Sequence, residues 1–174
     1  LDPSKYFIIV PDMFGNGLSS SPTNTPSPHD RGRFPLTTTY DNIRAQKRLC
    51  EEVFGIKRIR SVVGFSMSAQ QAFHWAAVYP DMVQSIAPIC GTAKTSPHDW
   101  LHLEGMKRAL QADSNWANGD YEKPPEAGLR AFHTVSCGWF LSQTYFRNGK
   151  YKSFLGTNAE TVADFIENVI SLFS

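Results

Sequence analysis

Cysteine, net charge and long apolar runs are all scarce in this sequence. Cysteine occurs three times, at Cys50, Cys90 and Cys137. The odd number and the scattered spacing argue against a disulfide scaffold or a cysteine metal site, and point to the cytoplasm or another reducing intracellular compartment. Seventeen lysines and arginines nearly balance sixteen aspartates and glutamates, for a formal charge of +1. That balance gives no electrostatic case for nucleic acid or an acidic membrane surface as a partner. No apolar run approaches the roughly 18 residues needed to cross a bilayer. A dinucleotide-binding reading of Gly15-Asn16-Gly17 fails because the third glycine is missing and no helical pattern follows.

What is present fits an ordinary globular domain. Of the 174 residues, 41% are apolar and 19% charged, enough to bury a core and remain soluble. The first residue is Leu1, and no basic-plus-apolar leader precedes the first apolar run, so a processed or excised piece is expected.

Tyr6-Phe7-Ile8-Ile9-Val10, closed by Pro11, has strand length and apolar residues throughout, which predicts a strand covered on both faces. Pro22, Pro26, Pro28 and Pro35 then break the chain into a long loop, and long loops in compact domains are often functional. Thr38 to Phe54 reads as the first helix. Thr38 and Asp41 have the spacing of a capping box, Ile43, Gln46-Lys47, Cys50 and Val53-Phe54 step round one face with Leu49 beside them, and Gly55 is a plausible stop. A strand ending at Val63 follows. After Pro80, Val83 and Ser85 to Gly91 give a third short strand. The order of strand, helix, strand, helix, strand predicts an α/β fold with the three strands parallel.

Between the second strand and its helix lies Gly64-Phe65-Ser66-Met67-Ser68. A strand, a sharp turn centred on serine and then a helix make the setting of a nucleophile elbow, in which the hydroxyl projects above the sheet edge. Residues two before and two after the serine must be small. Gly64 meets that demand, and Ser68 stands where glycine is usual. The alternative is that Ser66 merely caps the helix that follows. Ala69, Ala72, Ala76 and Ala77 suit that helix to close packing on a sheet, with Phe73 on a neighbouring face.

From Thr92 the character changes. Three of the four tryptophans (Trp100, Trp116 and Trp139) fall between residues 92 and 157, together with Pro124-Pro125. Leu101 to Ala112 and Gly128 to Leu141 read as helices. A last helix from Asn158 carries Val162, Phe165, Ile166, Val169, Ile170 and Phe173 on one face. No further strand is predicted. Residues 1–91 therefore read as a partial α/β core with the elbow, and residues 92–174 as a helical lid, or as a second helical layer with no part in binding.

Assembled, these segments resemble the α/β-hydrolase superfamily, and within it the homoserine O-acetyltransferase-like branch. The resemblance rests on Ile8 to Gly17, on Tyr40 to Lys47 with Gly55-Ile56, and on the elbow from Gly64 to Ala72 with methionine after the serine. It also rests on Ala112 to Trp116 with Gly119-Asp120-Tyr121, which looks like part of the lid. It implies a three-layer fold and an acyl-enzyme mechanism with Ser66 as nucleophile and the Met67 backbone N–H as one oxyanion donor. It further implies a histidine base oriented by an aspartate, both after the lid in chain order. The partners it implies are a small-molecule acyl donor and a hydroxyl acceptor, with acetyl-CoA as the co-substrate of the acetyltransferases. Transfer to a hydroxyl acceptor is the reading favoured; related hydrolases deliver the acyl group to water instead. Ser68 in place of glycine, with the triad partners missing, leaves a non-catalytic binding chain as a further alternative. No metal or resident cofactor is implied.

The chain departs from that pattern in two ways. It has no strand before Tyr6, and none after the lid to carry the aspartate and histidine. Missing core strands are therefore expected from the rest of a longer chain or from a partner chain, and the 174 residues alone are expected to be inactive. None of the histidines present is nominated as the base. His74 sits two helical turns beyond Ser66 and reads as a satisfied polar group. His98 and His102 are spaced to face together but lack a third ligand for a metal. His29 and His133 fall in the loop and the lid.

Overall fold

Thr38 starts the first helix as its spacing requires. Its hydroxyl accepts the Asp41 N–H at 3.2 Å, and the Asp41 carboxylate accepts the Thr38 N–H at 2.9 Å. Such a reciprocal cap satisfies two orphan donors and contributes about 1 kcal/mol. Helix α1 runs Thr39–Arg48, winds on through a wider π-type turn at Leu49–Val53, and stops at Gly55, whose φ is +64°. We describe the fold from a computed structural model, which covers residues 1–173; the side chain of Phe173 and all of Ser174 fall outside the described part. The chain forms two compact units, Leu1–Thr95 and Ser96–Ser174.

In the first unit, strand β1 (Val62–Phe65) leads into helix α2 (Met67–Val78), which returns to strand β2 (Ile86–Ile89). The strands are parallel, with Val62 opposite Ile86 and Gly64 opposite Pro88. An isolated bridge between Ile59 and Val83 extends the pairing toward the start of β1. Alternation along the strands divides the sheet. Val62, Gly64, Ile86 and Pro88 are covered, whereas Val63, Phe65, Ala87 and Ile89 are exposed. Helix α2 packs on both strands and α1 packs on α2, so these layers cover one face. The core between them is Ile43, Cys50, Trp75 and Met82, with Ile9, Ile56, Ile59 and Val62 packed against it.

The predicted strand at Tyr6–Val10 does not form. The segment is assigned no strand and pairs with neither β1 nor β2. Only Ile9 is drawn into the core, while Phe7 and Val10 are 72% and 88% exposed. Apolar side chains supply a face to bury, but a strand also needs a neighbour for its N–H and C=O groups. Neither described strand pairs with it, so among the described residues the sheet has two strands rather than three.

The second unit is helical: α3 (Pro97–Gln111), α4 (Glu126–Phe140), α5 (Gln143–Arg147) and α6 (Val162–Phe173). The caps, rather than the apolar pattern, set where these helices begin. Ser96 accepts the Asp99 N–H at 3.0 Å with Pro97 in the first turn, so α3 starts earlier than Leu101. Helix α4 follows directly on Pro124-Pro125 and starts at Glu126 rather than Gly128. Thr161 and Asp164 cap α6, so it begins at Val162 rather than Asn158. Gly128 lies where α4 crosses α3; a Cβ there would sit 2.5 Å from the Leu110 carbonyl oxygen. Cys137, Ala159, Phe165 and Val169 form the core of this unit, with Phe146 and Phe154 edge-on to Phe165.

Candidate active site

The turn between β1 and α2 is tight enough to exclude side chains from its inside. A Cβ on Gly64 would sit 2.1 Å from the backbone oxygen of Ser68, and one on Gly91 would sit 2.4 Å from the Ala69 Cβ and 2.7 Å from the Ser66 carbonyl oxygen. The demand for small residues therefore falls on Gly64, Ala69 and Gly91. Ser68 is exposed and fits without a conflict, which explains how serine replaces glycine there.

Ser66 sits at the apex with φ 56° and ψ −119°, a conformation that L residues rarely adopt. Such a residue costs on the order of 1–3 kcal/mol and persists only where its surroundings over-determine it. Here its N–H donates to the Ile89 carbonyl at 2.9 Å, and its own carbonyl accepts the Ala69 N–H at 3.0 Å. The end of β2 and the first turn of α2 thus hold it from both sides. Its side chain is exposed and makes no capping hydrogen bond to α2, so the helix-cap alternative does not describe it. The N–H of Met67 is the first of α2 and one of the orphan donors of that terminus, where the helix dipole favours negative charge. An exposed hydroxyl beside an open, oriented N–H is the geometry that acyl transfer uses.

Each histidine is placed by its own local contacts. His74 Nδ1 lies 3.0 Å from the Gln70 carbonyl oxygen, one turn back on α2, as a satisfied polar group. His98 and His102 do face together, both against the Trp139 ring at 4.4 and 4.5 Å. Burial holds His102 below the ordinary histidine pKa, against the opposing pull of Asp99. His133 is buried in α4 and His29 lies in the proline-rich loop. Among the described residues, no group of three metal-type side chains comes together, and no helix is long and apolar enough to cross a membrane. The three cysteines are free, with burial raising the thiol pKa of Cys50 and Cys137.

The long loop is ordered by its own polar groups. Asp12 accepts the Leu18 N–H and the Asn16 side-chain amide, both at 3.0 Å. Asn24 donates to the carbonyls of Ser19 and Gly17 and accepts the Ser21 N–H at 2.8 Å. The sequence reading missed a part-buried side-chain chain beneath the elbow helix: Trp75 Nε1 donates to Gln46, Gln46 donates to Gln71, and Gln71 donates to the Met13 thioether.

A parallel strand pair, a strained serine turn and a helix on one face define a core of the α/β-hydrolase kind. The chain belongs to the alpha/beta hydrolase fold family, which it matches over residues 1–166. It is 41% identical over 157 residues to the ethyl acetate hydrolase of Pseudomonas veronii, covering 88% of this chain and 44% of that protein. It is 34% identical over 152 residues to the homoserine O-acetyltransferase of Zymomonas mobilis, covering 83% of this chain and 40% of that protein. The crystal structure of an acetylester hydrolase from Corynebacterium glutamicum superposes with a TM-score of 0.90 at 35% identity, over 99% of this chain and 51% of that one. The chain spans about half the length of the curated relatives it matches.

Proposed function

We propose that this chain carries the nucleophile of an acetyl-ester hydrolase. The observation that carries the reading is Ser66, exposed and uncapped at φ 56° beside the open N–H of Met67. In this reading Ser66 Oγ attacks the ester carbonyl, the Met67 N–H stabilises the oxyanion, the alcohol leaves, and water releases the acetyl group from the serine. The sequence reading favoured transfer to a hydroxyl acceptor from acetyl-CoA. Greater identity to the ethyl acetate hydrolase than to the homoserine O-acetyltransferase supports water as the acceptor instead.

His74, the histidine on the elbow helix, is engaged with the Gln70 carbonyl oxygen rather than with Ser66. The reading therefore includes a histidine and an aspartate, and strands alongside β1, from sequence outside these 174 residues or from a partner chain. The helical part, residues 92–174, serves as the lid. Expressed alone, the 174 residues are expected to show no appreciable ester turnover; turnover abolished by Ser66→Ala would count against this part of the reading.

The acceptor is tested on the protein as its gene encodes it. Short acetyl esters should be hydrolysed with neither acetyl-CoA nor a hydroxyl acceptor present, and Ser66→Ala should abolish it. Turnover that requires acetyl-CoA and an acceptor alcohol would return the assignment to acyl transfer.

A further inference from the structure

The side-chain chain beneath α2 has a direction that follows from one group. An indole N–H can only donate. Trp75 Nε1 donates to Gln46 Oε1 at 2.9 Å, which leaves the Gln46 Nε2 to donate to Gln71 Oε1 at 2.7 Å. The Gln71 Nε2 must then face the Met13 thioether, and it does. Gln71 and Trp75 are 6% and 3% exposed and Gln46 is half-buried, so the Gln71 amide has little water to turn to. Beside them, Asn42 Oδ1 accepts the Phe14 N–H at 2.9 Å, while its amide donates to the Thr38 carbonyl at 3.0 Å. The consecutive residues Met13 and Phe14 are thus held by α2 and by α1.

The position of this chain matters for the turn above it. Gln71 lies just over one helical turn beyond Ser66, about 7 Å along the axis of α2. On the buried side of α2, Ala69 and Ala72 are fully buried but small, and the large side chain is Trp75, which sits in the core and is held by Gln46. Small side chains permit close approach without fixing the rotation of a helix about its axis. An oxyanion donor has to point within a few tenths of an ångström of where the oxygen will be, and misplacement by about 1 Å can cost two orders of magnitude in rate. We propose that Gln46 and Gln71 are positioning residues for the acyl-enzyme reaction, keying α2 to α1 and to Met13 so that Ser66 Oγ and the Met67 N–H keep their aim. The inference rests on the reading of Ser66 as the nucleophile.

The test is the rate of fluorophosphonate labelling at Ser66, measured beside thermal melting, in the protein as its gene encodes it. Gln71→Met keeps the volume and removes both amide bonds. Labelling should slow about tenfold in protein that still melts cooperatively, and ester turnover should lose kcat by a similar factor with KM little changed. Gln71→Glu keeps the acceptor for Gln46 and should recover most of the rate. Wild-type labelling in folded Gln71→Met would reduce the pair to a packing role and overturn the proposal. If Gln71→Met does not fold, Gln46→Glu decides: it keeps the acceptor for Trp75 and loses the donor to Gln71, so slowed labelling supports the proposal and an unchanged rate overturns it. Wild-type protein that is never labelled at Ser66 would instead refute the nucleophile reading.

Discussion

Gly64 and Ser66 together show what the turn costs. The space inside it is closed by backbone, so Gly64→Ala must move the Ser68 carbonyl. We expect a loss of about 2–3 kcal/mol in urea unfolding. Gly105 is the control: it lies within α3 with nothing near its Cβ position, and Gly105→Ala should stabilise by about 0.5–1 kcal/mol through helix propensity. Equal effects at the two glycines would remove the steric account of the elbow. At Ser66 the strain itself is open to measurement. Glycine tolerates φ 56°, ψ −119° without the Cβ penalty, so Ser66→Gly should raise stability by about 1 kcal/mol while removing labelling and turnover. A destabilised Ser66→Gly would mean that the hydroxyl holds the fold together and does not serve chemistry.

At the scale of elements, aspartates at helix starts carry a shared pH signature. Asp164 accepts the N–H groups of Thr161 at 2.8 Å and Glu160 at 3.1 Å, and these bonds hold its carboxyl below the usual aspartate pKa. Asp41 is lowered by the Thr38 hydroxyl and N–H, and Asp113 by the N–H groups of Asn115 and Gly128. A carboxyl with a depressed folded pKa adds stability that is complete above its unfolded value of about 4 and is lost as pH falls through the folded value. The melting temperature should therefore drop as pH is taken below about 4. Asp164→Asn should melt lower at neutral pH and show less of that acid dependence; an acid limb unchanged in the variant would exclude Asp164 as a source.

The same elements show what a sequence can disclose. The Thr38–Asp41 cap and the Gly55 stop were legible because both are local, resolved within four residues of chain. The elbow was legible for the same reason, since Gly64, Ser66 and the alanine-rich helix are neighbours in sequence. The starts of α3 and α6 carried equally local caps, at Ser96–Asp99 and Thr161–Asp164, that an apolar pattern alone passes over. Tyr6–Val10 misleads because its composition describes faces, and strand formation depends on a pairing partner that composition does not name. The pairing of Gln46 with Gln71 was invisible for a related reason. They stand 25 positions apart and meet only when α1 packs on α2.

For the whole molecule, family membership rests on nearly the full chain, and the proposed chemistry rests on a single turn. The exposed sheet face of Val63, Phe65, Ala87 and Ile89 and the unpaired Tyr6–Val10 segment leave apolar surface that the proposed additional strands and layer would cover. Acetyl-ester hydrolysis through Ser66 predicts a covalent intermediate that can be seen directly. The protein as its gene encodes it would be mixed with a short acetyl ester, quenched in acid within the first turnover, digested and weighed by mass spectrometry. An acetyl group is expected on the peptide that contains Ser66, with neither adduct nor turnover in Ser66→Ala. An acetyl group on another residue, or turnover that survives Ser66→Ala, would contradict it.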